Sequence, residues 1–126
     1  AGDNLTLTFN ASELIETPLV TLAGTNVDVQ DTNSGAGTSW QATYTVQDGD
    51  NGTVAFSIQY QDQAGNSGAI VTSPDLNNSI TMDTEDPILS QVKISLITDN
   101  ISLAKEGDVV YLQFNSTEDL IDPVVT

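Results

Sequence analysis

The sequence contains one segment twice. Residues 2–21 align without a gap against residues 107–126 at a constant offset of 105 residues, and nine of the twenty aligned positions are identical. The identical pairs include Gly2 and Gly107, Asp3 and Asp108, Phe9 and Phe114, Asn10 and Asn115, and Pro18 and Pro123. A unit of about one hundred residues that restarts at once is typical of a tandem array of domains. The sequence therefore predicts one full period, cut out of register, with the opening of the next.

Alternation of apolar and polar residues is the main local pattern in this chain. It is clearest in residues 4–10, 39–46 and 53–60. The predicted inward-facing side chains there are Leu5, Leu7, Phe9, Trp40, Ala42, Tyr44, Val46, Val54, Phe56, Ile58 and Tyr60. Period-two patterning rich in Thr, Val and aromatic residues indicates half-buried antiparallel strands. No window of useful length shows a helical stripe, so we predict essentially no helix.

Shorter strands and turn clusters account for the rest of the chain. The candidate strands are residues 19–23, 26–30, 69–72, 79–82, 88–97 and 109–115. In residues 88–97, Val92, Ile94 and Leu96 are expected to face inward. Regular short strands separated by turns, with no helix, predict an all-β fold, a β-sandwich of Greek-key type.

The acidic, proline-bearing segment at residues 83–87 is the predicted domain boundary. Residues 1–83 are then one repeat that lacks its first strand, and residues 84–126 are the linker and the first strands of the next repeat. A sandwich without its first strand exposes an unpaired edge. Two sources for the missing strand stay open: flanking sequence of the same chain, or a neighbouring chain that donates it.

The composition excludes several classes of function. The 18 acidic residues against two lysines give a formal net charge of −16, whereas nucleic acid and anionic lipid require a basic surface. No apolar run approaches the roughly 18 residues of a membrane span and no signal peptide is present, so we expect no membrane insertion. The chain contains no His and no Cys. The usual nucleophilic triads are thus excluded, and we expect no enzyme.

An ordered series of short motifs runs along nearly the whole chain. These motifs occupy residues 2–13, 18–24, 40–46, 54–66 and 83–87. The series resembles the bacterial-type Ig-like tandem repeats of large extracellular surface and adhesin proteins. The resemblance implies an immunoglobulin-like β-sandwich that acts as an extension or binding module. Without a cysteine pair the chain departs from vertebrate-type immunoglobulin domains, and its linker is more acidic than the usual form, which favours a metal there.

Acceptor sequons for N-linked glycans are unusually frequent. They begin at Asn4, Asn10, Asn51, Asn77, Asn100 and Asn115. Ten Asn and 27 Ser or Thr residues would produce about two sequons by chance, and there are six. Three lie at outward strand positions and three in predicted turns, which are the exposed places that a glycan needs. We predict N-linked glycans, although Asn- and Thr-rich β proteins also accumulate this pattern without using it.

Calcium is the second predicted ligand. Ca²⁺ takes six to eight oxygen ligands from carboxylates, amides and carbonyls. The candidate ligands are Asp83, Glu85 and Asp86 in the linker, Asp62 and Asn66 in a turn, and Glu13 and Glu118 after the repeated strand, with Asp99 and Asn100 near them in sequence. The alternative is that residues 62–66 form only a tight turn in which Asp and Asn cap backbone amides.

Together these features predict a structural module of an extracellular, glycosylated tandem-repeat surface protein or fibril. Its partners are neighbouring copies of the same repeat, joined covalently or by strand donation. Two alternatives stay open, namely a ligand-binding adhesin module and a fibre subunit that polymerises by donating a strand. The near-duplicate segment favours covalent repetition, because a donor strand need not copy the strand that opens the chain.

Overall fold

The computed structural model describes residues 1–76, 78–96 and 103–126, and it divides the chain into two compact units. Unit 1 comprises Ala1–Glu85 and unit 2 comprises Asp86–Thr126. Their boundary lies inside the acidic segment that was predicted as a linker. The described residues form strands, turns and bends but no helix, so the predicted all-β class is confirmed.

Unit 1 contains eight strands among its described residues. They are β1 (Asn4–Asn10), β2 (Leu19–Leu22), β3 (Thr25–Val27), β4 (Val29–Asp31), β5 (Ser39–Thr45), β6 (Gly52–Thr53), β7 (Phe56–Gln59) and β8 (Thr81–Met82). One three-stranded sheet has the order β1-β5-β4, a second has the order β3-β2-β7, and β6 pairs with β8. Every pairing is antiparallel.

The core of unit 1 lies between the two three-stranded sheets. Ala42 of β5 is buried with Val20 and Leu22 of β2 and Ile58 of β7. Alternate residues of β1 and β5 point into this layer, because successive side chains of a strand face opposite sides. Two antiparallel sheets that share one apolar core are compatible with a β-sandwich.

Three of the predicted strands differ from the observed ones. Residues 26–30 split into β3 and β4, which belong to different sheets. Residues 53–60 are interrupted, since Val54 N donates to Ile80 O whereas Ala55 O accepts from Ala23 N. Residues 69–72 contribute only a single bridge, between Val71 and Ile58. In the first two cases the apolar alternation continues but the hydrogen-bonding partner changes, and alternation carries no signal for a change of partner.

The described part of unit 2 forms an antiparallel pair of strands, β9 (Leu89–Leu96) and β10 (Val110–Ser116). Leu96 lies opposite Val110, and the register shifts between Gln113 and Asn115. The interior positions predicted in β9 are wrong for Val92 and Ile94, which are 60% and 76% exposed. A two-stranded ribbon has no second layer of its own to cover an apolar face.

The glycine that precedes the repeated strand has the same conformation in both copies. Gly2 has a φ of 95° and Gly107 has a φ of 88°. In unit 1, Gly2 N donates to Val46 O and Val46 N donates to Asp3 O, which places two residues opposite one. This is a bulge that begins with a left-handed glycine, where a side chain would be strained.

Candidate functional site

The described sequon asparagines lie on the surface. Asn4 and Asn10 are exposed on β1, Asn115 is exposed on β10, and Asn51 is exposed immediately before β6. Asn77 and Asn100 lie outside the described residues. Each described sequon thus meets the accessibility that glycosylation requires, and occupancy stays a prediction.

Asn51 has a structural role besides its sequon. Its Oδ1 accepts a hydrogen bond from Thr84 N at 2.9 Å, and its Nδ2 donates to Glu85 Oε1 at 3.1 Å. Thr84 Oγ1 in turn accepts from Gly49 N at 3.0 Å. The turn before β6 therefore holds the last residues of unit 1. The sequence pattern marked Asn51 only as a glycan acceptor and gave no signal for this contact.

The turn at residues 62–66 is organised by one carboxylate. Asp62 Oδ1 accepts from Ala64 N at 2.9 Å and from Asn66 N at 2.8 Å, and Asp62 Oδ2 accepts from Asn66 Nδ2 at 2.8 Å. The hydrogen bonds from Asn66 hold the pKa of Asp62 below its ordinary value. Both oxygens of Asp62 are thus engaged within the turn, as the turn interpretation of this segment expects.

The predicted calcium ligands fall into three places. Glu13, Asp62 and Asn66 line one cleft of about 770 Å³, together with Asp75. Asp83 Oδ1 accepts from Glu85 N at 3.2 Å at the end of unit 1, beside Asn51. The remaining predicted ligands are Asp86 and Glu118, which belong to unit 2, and Asp99 and Asn100, which lie outside the described residues.

Acidic side chains do not gather into a metal centre in the part of the chain that the structure describes: no three of them lie close enough to hold one ion. The cleft that contains Glu13 and Asp62 is also lined by Asn66 and Asp75, but both carboxylate oxygens of Asp62 accept hydrogen bonds within the turn. A calcium ion at this place would compete with those hydrogen bonds for the same oxygens. Calcium binding stays a prediction from the sequence.

The aromatic side chains of unit 1 face inward, as their alternation predicts. Trp40 is 6% exposed, and its Nε1 donates to Gly37 O at 3.2 Å. Tyr44, Phe56 and Tyr60 are half-buried against the core. Their placement favours core packing over a sugar-stacking surface, because a stacking platform needs exposed rings.

Two clefts flank β1 in unit 1. The first cleft has a volume of about 770 Å³ and is lined by Thr8–Asn10 of β1, residues 66–68, Val71 and Asp75. The second cleft has a volume of about 330 Å³ and is lined by Leu5–Leu7 of β1 and by residues 72–74 and 78–80. No described residue of β5 lines either one. We call the two clefts together the β1 groove. Sequence reasoning predicted a missing first strand, but the groove depends on contacts between distant segments and has no local signal.

The comparisons with known proteins give no relative for this chain. No family model, no curated protein and no solved structure matches it. In the residues that the structure describes, there is no helix with the length and hydropathy needed to cross a membrane.

Proposed function

We propose that this chain is a structural extension module of an extracellular, glycosylated tandem-repeat surface protein or fibril. The observation that carries the proposal is the conformation of the two repeated segments. In each copy a glycine of positive φ precedes a seven-residue strand. The strand begins two residues after Gly2 and three residues after Gly107, so the two strands are offset by one residue in the alignment. Segments that are alike in both sequence and conformation, placed in two compact units, support a covalent repeat.

The order of strands in unit 1 supports an immunoglobulin-like topology for the repeat. One sheet has the order β1-β5-β4, and the other continues from β3-β2-β7 through bridges at Ile58–Val71 and Gln61–Ser67. An immunoglobulin sandwich pairs its second, fifth and fourth strands in one sheet and its third, sixth and seventh in the other. With β1 as the second strand, the pairs β1-β5, β5-β4 and β2-β7 and the bridge from Ile58 to Val71 agree with this scheme.

The function of such a module is mechanical. Seven consecutive residue pairs join β1 to β5, so unit 1 is held by a long ladder rather than by disulfides. The net charge of −16 makes neighbouring modules repel and keeps them hydrated. Glycans at exposed sequons such as Asn10 and Asn115 would add bulk to the outward faces of the repeated strand.

The first test is the mass of the native protein in denaturant, before and after enzymatic removal of N-glycans. We expect a chain much larger than the 13.3 kDa of this sequence, and a loss of mass on deglycosylation. A deglycosylated chain near 13.3 kDa would refute the covalent array.

A matched pair of variants tests the glycans separately. In a secreting eukaryotic host, Asn10→Gln should remove one glycan's worth of mass. Asn66→Gln, at an exposed asparagine outside any sequon, should remove none. Equal masses for Asn10→Gln and the parent protein would show that the Asn10 sequon is unused.

A further inference from the structure

Among the residues that the structure describes, the strand β1 is paired along one edge and has no partner along the other, which we call its open edge. It lies at the end of the sheet β1-β5-β4. Asp3 O accepts from Val46 N at one end of the ladder, and Ala11 N donates to Thr38 O at the other. In an antiparallel ladder alternate residues face the same partner, so the odd-numbered residues of β1 direct their backbone groups to β5. The backbone N–H and C=O groups of Thr6, Thr8 and Asn10 therefore face the open edge.

The strand β10 is paired along the opposite edge. Thr117 N donates to Ile88 O at 3.1 Å, so the odd-numbered residues of β10 face β9. The register shift does not change which residues of β10 face β9, because the extra residue of the bulge lies in β9. The segment from Lys93 to Ser90 advances three residues along β9, opposite the two-residue advance from Gln113 to Asn115 along β10. With the offset of 105, the β10 residues that face β9 are Tyr111, Gln113 and Asn115, the counterparts of Thr6, Thr8 and Asn10. Thus β9 covers the edge that β1 leaves open.

Transferring the register of β9 to β1 gives a specific pairing. Val110 and Leu112 lie opposite Leu96 and Ile94, so their counterparts Leu5 and Leu7 would receive the same two residues. Directly opposite residues of an antiparallel pair share one face of the sheet. A strand added in this register would therefore place its Leu96 and Ile94 on the inward face, where Leu5 and Leu7 are half-buried.

The β1 groove provides apolar surface for those side chains. Its lining includes Phe9, Ile58 and Val71 in one cleft and Leu7, Val54 and Ile80 in the other. In β9 itself, Ile94 is 76% exposed and Val92 is 60% exposed. Residues of this kind leave water when they enter an apolar groove, which is the main driving force for association.

The charge of β9 also suits this surface. Residues 88–96 contain no acidic side chain and include Lys93, one of the two basic residues of the chain. The rest of the chain carries all 18 acidic residues. A β9-type strand thus carries a positive charge toward the acidic unit 1 and adds no carboxylate that would be repelled.

We propose that the open edge of β1 binds a β9-type strand (Leu89–Leu96) of another copy of this repeat, in the register that β9 adopts on β10. The strand completes the first sheet and fills the β1 groove. This inference rests on the proposed function for the identity of the occupant, because it is the repetition that makes a second β9 present.

The experiment is amide hydrogen exchange of the full 126-residue chain, measured by NMR with and without a synthetic peptide of residues 87–96. At saturating peptide we expect exchange to slow by about tenfold or more at Thr6, Thr8 and Asn10. Exchange at Leu5 and Leu7 should stay as it is, since these amides already face β5. Unchanged exchange at Thr6 and Thr8 with millimolar peptide would overturn the proposal, and so would new protection confined to β10.

A matched peptide tests the register without altering the folded chain. Ile94→Asp places a carboxylate on the inward face, and Lys93→Gln changes a residue on the outward face. We expect Ile94→Asp to weaken binding by about tenfold or more, and Lys93→Gln by much less. Equal weakening by both would refute the register. On the acceptor side, Thr8→Pro removes an amide of the open edge and leaves the β5 ladder intact, so it should weaken binding in a chain that still folds.

These outcomes are separate from those of the mass measurement. If the native chain is short but its β1 edge binds the peptide, the proposed pairing is supported and the covalent array is refuted. If the native chain is long but the peptide does not slow exchange of the β1 amides, the covalent array is supported and the proposed pairing is refuted.

Discussion

The strands β1 and β10 come from the two copies of one repeated segment, and the structure surrounds them differently. β1 pairs with β5 and packs over a second sheet, whereas β10 pairs with β9 in a two-stranded ribbon. Leu7 is consequently half-buried, but its counterpart Leu112 is 43% exposed. The alternation of the segment determines which side chains share a face. Whether that face is covered depends on strands that are distant in the sequence.

The largest expected difference is in the loss of stability caused by truncating an isoleucine in the core of unit 1 and one in the ribbon of unit 2. Ile58 is 4% exposed, so Ile58→Ala leaves a cavity and should lower the free energy of unfolding by roughly 2–5 kcal/mol. Ile94→Ala removes the same atoms from an exposed position and should cost less than about 0.5 kcal/mol. Urea denaturation of both variants measures the difference. Similar losses would mean that the face of β9 is covered in solution.

A second pair of variants compares the repeated strands directly. Leu7→Ala should cost about 1–2 kcal/mol, because Leu7 packs against the core cluster of unit 1. Leu112→Ala should have little effect on global unfolding. The same denaturation experiment applies. A large effect of Leu112→Ala would contradict the comparison, since it requires a covering layer on β10.

The glycines before the two strands should respond alike. Gly2→Ala and Gly107→Ala each place a side chain at a φ near 90°, although the added Cβ meets no atom within 4 Å. The cost is backbone strain alone, about 1 kcal/mol in each copy. Local hydrogen exchange at Val46 reports on the first variant and at Asp108 on the second. Loss of protection in only one of them would show that the shared conformation is not required in both copies.

The smallest expected effect is a dependence on pH that belongs to unit 1. Asp62 and Asp50 both have a pKa below the ordinary value; hydrogen bonds from Asn66 lower the first, and those from Gln47 and Tyr44 lower the second. A lowered folded-state pKa stabilises the fold above the unfolded pKa, and this contribution is lost as pH falls through the folded pKa. The melting temperature should therefore decline below about pH 4.

Two variants assign that decline. Asp62→Asn should lower the melting temperature at pH 7, and the difference from the parent chain should shrink as the pH falls and the Asp62 carboxyl group becomes protonated. Asp28→Asn, at an exposed position between β3 and β4, serves as the control for the removal of one negative charge. An identical profile for Asp62→Asn and the parent chain would show that the turn contributes nothing to acid stability.

What the sequence predicts well is local. The inward positions of β5, such as Trp40 and Ala42, follow from period-two alternation, and the structure confirms them. The division of residues 26–30 between two sheets does not follow, because Val27 and Val29 stay in phase while their partners change. A pattern that reports burial contains no information about which neighbour supplies the hydrogen bonds.

In the candidate site, too, some features could be predicted from the sequence and others could not. Exposure of Asn4 and Asn10 was predictable because both occupy the polar phase of an alternating strand. The sequence predicted Glu13 and Asp62 only as two members of a wider set of calcium ligands, and it gave no signal that both line one cleft, since these residues are 49 positions apart. The hydrogen bond of Asn51 to the segment at Thr84 and Glu85 was not predictable, because it depends on how a turn meets a distant strand end.

The sequence separation of β1 and β5 also determines how long β1 waits for its partner during translation. Its partners are separated by 29 residues at Asn10 and Ser39 and by 41 residues at Asn4 and Thr45. At about 5–20 residues per second, a ribosome needs roughly 2–7 s to deliver the last partner after β1 has emerged. For that interval the nascent β1 has no β5 to pair with, and its two sequons do not yet lie in the completed sheet. We therefore expect Asn4 and Asn10 to be modified during translation, before the sheet that will carry them exists.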